Sequence, residues 1–328
     1  MRKFKESLSL VILFSILCSY GYAEYNHEAI PSNHSIGIKI VEDAKNTSIY
    51  NLTYGKIINY FNTINERGSI TDFRYVLLEM QFGSDWYKGS GTILYNDGKN
   101  VLVLTALHNI EDSSKIANKL EVYSDGKHIP KVKIAEVLNV GNDYVRIPNK
   151  DIALFIAKLN SSAKSKKYVP QDVALFDIKR LEKISYPGSY YKVEAVMNQY
   201  PSQTEEYFRI KDNVYYDNQY GKMIGYSNIP TLAGASGSSV IYYDYNCWFF
   251  GLWCNKDPEE CIIGVHVKSG NLDKKISPSI THAKRKIMVE NNIFELISQK
   301  EIKNLSSTNT ELNNLLSLFI GGQKHEDL

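Results

Sequence analysis

Gly234-Ala235-Ser236-Gly237-Ser238-Ser239, running straight into the apolar stretch Val240-Ile241-Tyr242-Tyr243, is the segment on which the reading of this chain turns. A serine hydroxyl becomes a useful nucleophile only when a base removes its proton and nearby donors stabilise the oxyanion that forms on its target. Glycine two residues before the serine lets the backbone fold so that the N–H groups of Gly234 and Ser236 point at one spot. By itself a Gly-x-Ser-Gly turn is weak evidence, because glycine and serine fill ordinary turns for conformational reasons. The segment therefore directs attention to a base and an acid elsewhere.

Both occur upstream, each beside an apolar strand. Val101-Leu102-Val103-Leu104-Thr105-Ala106 is a buried-strand pattern that ends on Leu107-His108, placing His108 at a strand mouth. Asn149-Lys150-Asp151 is followed by Ile152-Ala153-Leu154-Phe155-Ile156, placing Asp151 at the start of another buried strand. Asp143 is the rival acid, but its Gly-Asn-Asp loop has no buried strand directly behind it. The order His, Asp, Ser is one of those in which a catalytic triad occurs.

Thr105-Ala106-Leu107-His108, Asp151-Ile152-Ala153-Leu154 and Gly234-Ala235-Ser236-Gly237 resemble the three signature blocks of trypsin-like (chymotrypsin-fold) serine proteases. Ser236-Gly237-Ser238 together with Ile263-Gly264-Val265-His266 is most similar to the bacterial glutamyl endopeptidases, and the likeness spans roughly residues 73–297. The resemblance implies two six-stranded antiparallel β-barrels with a C-terminal helix. It implies a triad of His108, Asp151 and Ser236, an oxyanion hole from the Gly234 and Ser236 amides, and a pocket lined by Thr231 and His266 that reads an acidic side chain. It implies no metal or organic cofactor, a protein or peptide substrate, and a monomer. The chain departs from trypsin at Ala235, where trypsin carries an aspartate that pairs with the new N-terminus on activation, and at Leu107, which replaces a smaller residue.

Local patterns agree with an all-β reading. Residues 73–82, 91–95, 101–106, 119–123, 128–137 and 152–157 read as strands of a first barrel, with Asn96-Asp97-Gly98 a hairpin turn between the second and third. Residues 172–176, 190–198, 207–211, 222–226, 237–242 and 261–268 read as strands of a second, with the boundary near 160–170. The 24 tyrosines serve as strand formers with a polar tip. Residues 286–298 carry Ile287, Met288, Ile293, Phe294 and Ile297 at helical spacing, which predicts a terminal helix packed on the second barrel.

Outside the body at 71–300, residues 1–23 have the three parts of a secretory signal peptide: a basic start, an apolar run over 8–17 too short to span a bilayer, and small residues at 21–23. A secreted or periplasmic protein with no stable membrane insertion is expected. Residues 24–70 read as an extension, either a propeptide or a retained arm, with a candidate processing site at Arg67-Gly68-Ser69. Residues 301–328 read as a polar linker and a short amphipathic tail that docks on the body or meets a partner.

Removing residues 1–23 leaves 35 Lys+Arg against 35 Asp+Glu, so nothing in the charge balance suits a nucleic-acid partner, and the patch at 164–167 reads as a solvated loop. Cys247, Cys254 and Cys261 remain, which in an oxidising compartment gives one disulfide and one cysteine over. Their six-residue gaps do not match a zinc knuckle. The competing class is an inactive binding or adhesion module on the same fold, although a relative of that kind usually lacks one member of the triad. An esterase fits less well, because the order and strand context differ from the nucleophile elbow.

Overall fold

A computed structural model of the chain describes residues 74–112, 115–126, 129–137, 139–161, 174–175, 191–200, 207–217, 224–227, 229, 231, 234–244, 259–268 and 293–322. The leader, the extension with Arg67-Gly68-Ser69, the 164–167 patch, and Cys247 and Cys254 lie outside the described residues. The disulfide and processing expectations fall there too.

The first sheet is built from β1 (Tyr75–Phe82), β2 (Asp85–Asn96), β3 (Asn100–Ala106), β6 (Lys119–Gly126), β7 (Ile129–Val137), β8 (Tyr144–Arg146) and β9 (Ile152–Leu159), with β4 (Glu111–Asp112) and β5 (Lys115–Ile116) forming a small separate hairpin. Its order is β3-β2-β1-β6-β7-β9-β8, and β3 also pairs with β9, so six antiparallel strands close into a barrel. Period-two alternation sends Val76, Leu78, Met80, Val101, Val103, Ala153 and Phe155 to the barrel interior. Leu77, Leu102, Leu104, Leu154 and Ile156 turn outward, yet they too are buried. Strands covered on both faces read as unbroken apolar runs, which is why β3 and β9 stood out in the sequence. The Asn96-Asp97-Gly98 turn forms as expected: Gly98 takes φ 89° and donates its N–H to Asn96 Oδ1, while Asp97 Oδ1 accepts from the N–H groups of Lys99 and Asn100.

The second sheet comprises β10 (Ala174–Leu175), β11 (Tyr191–Gln199), β12 (Phe208–Asp217), β13 (Ile224–Ser227), β14 (Ser239–Asp244), β15 (Glu259–Lys268) and β16 (Ile293–Leu296). Its order is β10-β15-β14-β11-β12-β13-β16, and β15 also pairs with β16, so its hydrogen bonding returns on itself. Two expectations are corrected here. Residues 172–176 do not supply a ring strand, since Ala174–Leu175 lies parallel to β15 at the edge. The ring is completed instead by Ile293–Leu296, within the stretch read as helix, because Phe294 and Leu296 are buried together while Glu295 alternates between them and pairs with β13 and β15.

Helix follows only after that strand. Ser298 caps α1 (Gln299–Lys303) with a full capping box: Ser298 Oγ accepts from Glu301 N, and Glu301 Oε2 accepts from Ser298 N. The second helix, α2 (Thr310–Gly322), is the amphipathic tail. It buries Leu312, Leu315, Leu316 and Phe319. These residues join Leu77, Leu102, Leu104 and Leu154 in one core with Ile241, Ile262 and Val265 of the second sheet. The tail thus docks on the body, against β2, β3 and β9 of the first barrel. Arg74 Nη2 to Glu260 Oε2, at 2.6 Å, ties the two sheets at another point of the seam.

Candidate active site

The register of the first barrel brings His108 and Asp151 together. Ala106 pairs with Ile152 at the ends of β3 and β9, so the residues just beyond them, Leu107-His108 and Lys150-Asp151, emerge side by side. Leu107–Asn109 forms a single 3-10 turn, and Leu107 N donates to Asp151 O at 3.0 Å. On the acid side Ile147 N donates to Ile152 O, and Asn149 reverses the chain at φ 62°, a conformation that asparagine tolerates better than most residues. The Asp151 carboxylate then spans the histidine. Its Oδ2 lies 2.6 Å from His108 Nδ1, and its Oδ1 accepts the His108 main-chain N–H at 2.9 Å. The two side chains are 38% and 34% exposed, so the pair is open to solvent rather than sitting in a core. Asp143, the rival acid, is engaged elsewhere: its Oδ1 accepts from Asn309 Nδ2 and its Oδ2 from Asn139 N.

Ser236 comes from the second sheet, just before β14, and its main chain is held to the first barrel. Its carbonyl accepts the Ser90 N–H at 2.8 Å and Asn109 Nδ2 at 2.8 Å. Asn109 directly follows His108, so the turn that carries His108 also grips Ser236. Ser90 Oγ donates to Gly234 O at 2.8 Å, and Thr92 Oγ1 and Ser239 Oγ share a 2.6 Å hydrogen bond. Among the described residues no hydrogen bond joins the Ser236 hydroxyl to His108.

Two glycines make this approach possible. Gly234 takes φ 97° and Gly237 φ 91°, conformations that an L side chain rarely adopts. A Cβ at Gly237 would also lie 2.0 Å from Ser90 O and 2.2 Å from Thr105 Oγ1. A Cβ at Gly89 would run into the Asn109 side chain at 2.6 Å, so that glycine makes the room in which Asn109 sits. Asn109 is itself buried and also donates to Thr105 Oγ1, whose hydroxyl donates to Ser90 O. Sequence reasoning missed Ser90 and Asn109. Their one visible trace was the small-residue run Gly89-Ser90-Gly91 inside an apolar strand, a sign of close backbone approach.

His266 and Thr231, 0% and 4% exposed, are buried. The main chain of His266 is stitched to the loop that carries Ser236, donating to Ser238 O and accepting from Gly237 N, both at 2.8 Å. Burial drives the His266 imidazole down to about 3, and charge on His108 adds to the effect. At neutral pH His266 is therefore uncharged. The described residues contain no group of His, Cys, Asp and Glu able to hold a metal ion. No described helix is long and apolar enough to cross a membrane.

No family profile matches the sequence, and no curated protein matches it. Among solved structures the chain is similar to a thermostable serine protease AL20 from an extremophilic microorganism, at 13% identity and a TM-score of 0.41, over 74% of this chain and all of that one. It is similar to the Rv3671c protease of M. tuberculosis in its active form, at 13% identity and a TM-score of 0.38, over 73% of this chain and 83% of that one. A catalytically inactive tobacco etch virus protease with substrate aligns at 14% identity and a TM-score of 0.42, over 74% and 86% of the two chains. The strand order and closure given above, not these distant likenesses, carry the fold: mostly β, with a closed six-stranded antiparallel barrel and a C-terminal helix.

Proposed function

We propose that this chain is a secreted serine endopeptidase in which His108, Asp151 and Ser236 act as a triad. The observation that carries the reading is the two-point grip of Asp151 on His108, at Nδ1 and at the main-chain N–H. That grip fixes the ring so that its far nitrogen is left to serve the Ser236 hydroxyl. Ser236 Oγ attacks the scissile carbonyl while His108 takes its proton. The C–N bond then breaks, and His108 returns the proton to the leaving amine. Water deacylates the enzyme by the same exchange. Asp151 stabilises the imidazolium in both halves, and the Gly234 and Ser236 amides serve the oxyanion. Every proton is accounted for without a metal or an organic cofactor. The leader at 1–23 supports export, and the 24–70 extension supports processing before the first strand.

The acidic preference belongs to the same proposal. Thr231 and His266 offer a hydroxyl and an uncharged imidazole, donors that can replace water around a carboxylate. The main-chain bonds of His266 to Gly237 and Ser238 support a pocket beside the Ser236 loop.

Turnover of a denatured protein and labelling by an organophosphonate test the chemistry, with Ser236→Ala and His108→Ala beside the parent. Each variant is expected to lose roughly a thousandfold or more in kcat/KM and Ser236→Ala to lose the label. Equal activity in all three, or none in a correctly processed parent, overturns the reading in favour of a binding module. Profiling on a peptide library is expected to give cleavage after glutamate, weakened by His266→Ala far more than general turnover. A preference for basic or large apolar residues removes the pocket assignment and leaves the protease reading standing.

A further inference from the structure

We propose that Glu295 is a positioning residue for Asp151, a second carboxylate supplied by the second sheet that holds the acid's main chain and adds negative charge behind the Asp151 and His108 pair. The proposal rests on the triad reading above. Both carboxylate oxygens of Asp151 bond His108, and among the described residues its further anchor runs through its backbone. Its N–H donates to Glu295 Oε2 at 2.5 Å, across 144 residues of chain. A backbone N–H bonded to a carboxylate is among the stronger hydrogen bonds a protein makes.

The neighbouring residue repeats the attachment. Lys150 Nζ donates to Leu296 O at 2.7 Å and makes an ion pair with Glu301, which in turn caps α1 through Ser298. Lys150 and Asp151 are thus anchored to consecutive residues of β16, the strand that completes the second ring. The acid's loop lies in the first barrel by sequence, but its anchor is in the second sheet.

The charges facing Glu295 are those of Asp151, Lys150 and Glu301. Burial pushes its carboxyl up; the Asp151 N–H pulls it down, Asp151 charge pushes up, Lys150 pulls down and Glu301 pushes up, leaving it above the usual carboxylate range. Lys150 is therefore a lone described cation among the carboxylates of Asp151, Glu295 and Glu301. That surplus favours the imidazolium that His108 becomes when it takes the Ser236 proton.

Replacing Glu295 by glutamine keeps an acceptor for the Asp151 N–H and removes the charge, which separates positioning by charge from mere support. The His108 ring titration, read by side-chain NMR in a Ser236→Ala background and assigned with His108→Ala, is expected to fall by about half a pH unit in Glu295→Gln. Lys150→Met, which removes the opposing cation, is expected to move it the other way and decides the matter if Glu295→Gln does not fold. In active protein the acid limb of the kcat/KM profile moves with it to lower pH in Glu295→Gln. An unchanged His108 titration in folded variants overturns the proposal. A parent that neither hydrolyses peptides nor takes the organophosphonate overturns the triad reading instead, and the titration still judges Glu295.

Discussion

The two halves of the site are held in different ways. His108 and Asp151 stand at the ends of paired strands, β3 and β9, and their spacing follows from the barrel's register over Asn100 to Ala106. Ser236 shares no strand pairing with them. It is located by hydrogen bonds to its carbonyl across the seam, from the Ser90 main-chain N–H and the Asn109 side-chain amide, and by two glycines at positive φ. The comparison teaches that His108 and Asp151 inherit their geometry from a core, whereas Ser236 depends on a few close contacts to its main chain. Damage to the first half should be spread over the barrel, and damage to the second should be local and severe.

The largest break in that contrast comes from Gly237→Ala. The new Cβ meets main-chain oxygen at 2.0 Å at a φ of 91°, so the nucleophile loop must leave the barrel surface. Hydrolysis is expected to fall by about a thousandfold or more, since displacement of a reacting group by about an ångström already costs about a hundredfold. The amide spectrum of the first barrel should be retained. A variant with parental kcat would show that the seam does not set the serine.

Glu121 sharpens the other side, because it belongs wholly to the first barrel. Its buried carboxylate receives Tyr123 Oη at 2.6 Å and ion-pairs with Lys119 at 2.7 Å and Lys133 at 3.1 Å. Burial alone would raise its pKa, but hydrogen bonds from Lys119, Tyr123 and Lys133 outweigh this and hold it at about 2. A folded value below the unfolded one contributes stability that is present above pH 4.5 and is lost as pH falls through about 2. The amount is roughly 3 kcal/mol. Denaturant unfolding of the parent and Glu121→Gln from pH 7 to pH 2 should show the parent's advantage shrinking across that window, with peptide hydrolysis at pH 7 little changed. A constant difference would remove the linkage.

The smallest effect lies on the seam itself. Asn109→Ala leaves Ser236 O with the Ser90 N–H alone and opens a space beside Gly89. We expect about 1–3 kcal/mol of stability to be lost. In kinetic assays kcat should fall about tenfold with KM nearly unchanged, as for a residue that aligns the nucleophile without touching substrate. A rise in KM alone would place Asn109 in binding instead.

This contrast also explains what the sequence disclosed. β3 and β9 are buried on both faces, so their apolar runs announced themselves, and His108 and Asp151 could be placed at their ends. The first turn of β2, Asp85-Trp86-Tyr87, is exposed and held by pairing with β1 rather than by burial, so it carried no such signal. β16 was hidden for another reason: a four-residue strand next to a capped helix, with apolar residues also three and four apart, fits either period. Ser298-Gln299-Lys300-Glu301 was a legible start signal that places the helix after the strand. Glu295 and Asn109 were illegible because their partners, Asp151 and Ser236, lie 144 and 127 residues away.

The docking of α2 on β2, β3 and β9 bears on how the chain is made. Leu102, Leu104 and Leu154 are covered by Leu312, Leu315, Leu316 and Phe319, so the barrel translated first has no lid until residues 312–319 emerge. At the usual pace of synthesis that interval, from Leu159 to Phe319, lasts on the order of ten seconds. Throughout it the nascent barrel presents an apolar outer wall to the cell. A chaperone that shields such a wall would meet this protein before it could finish folding.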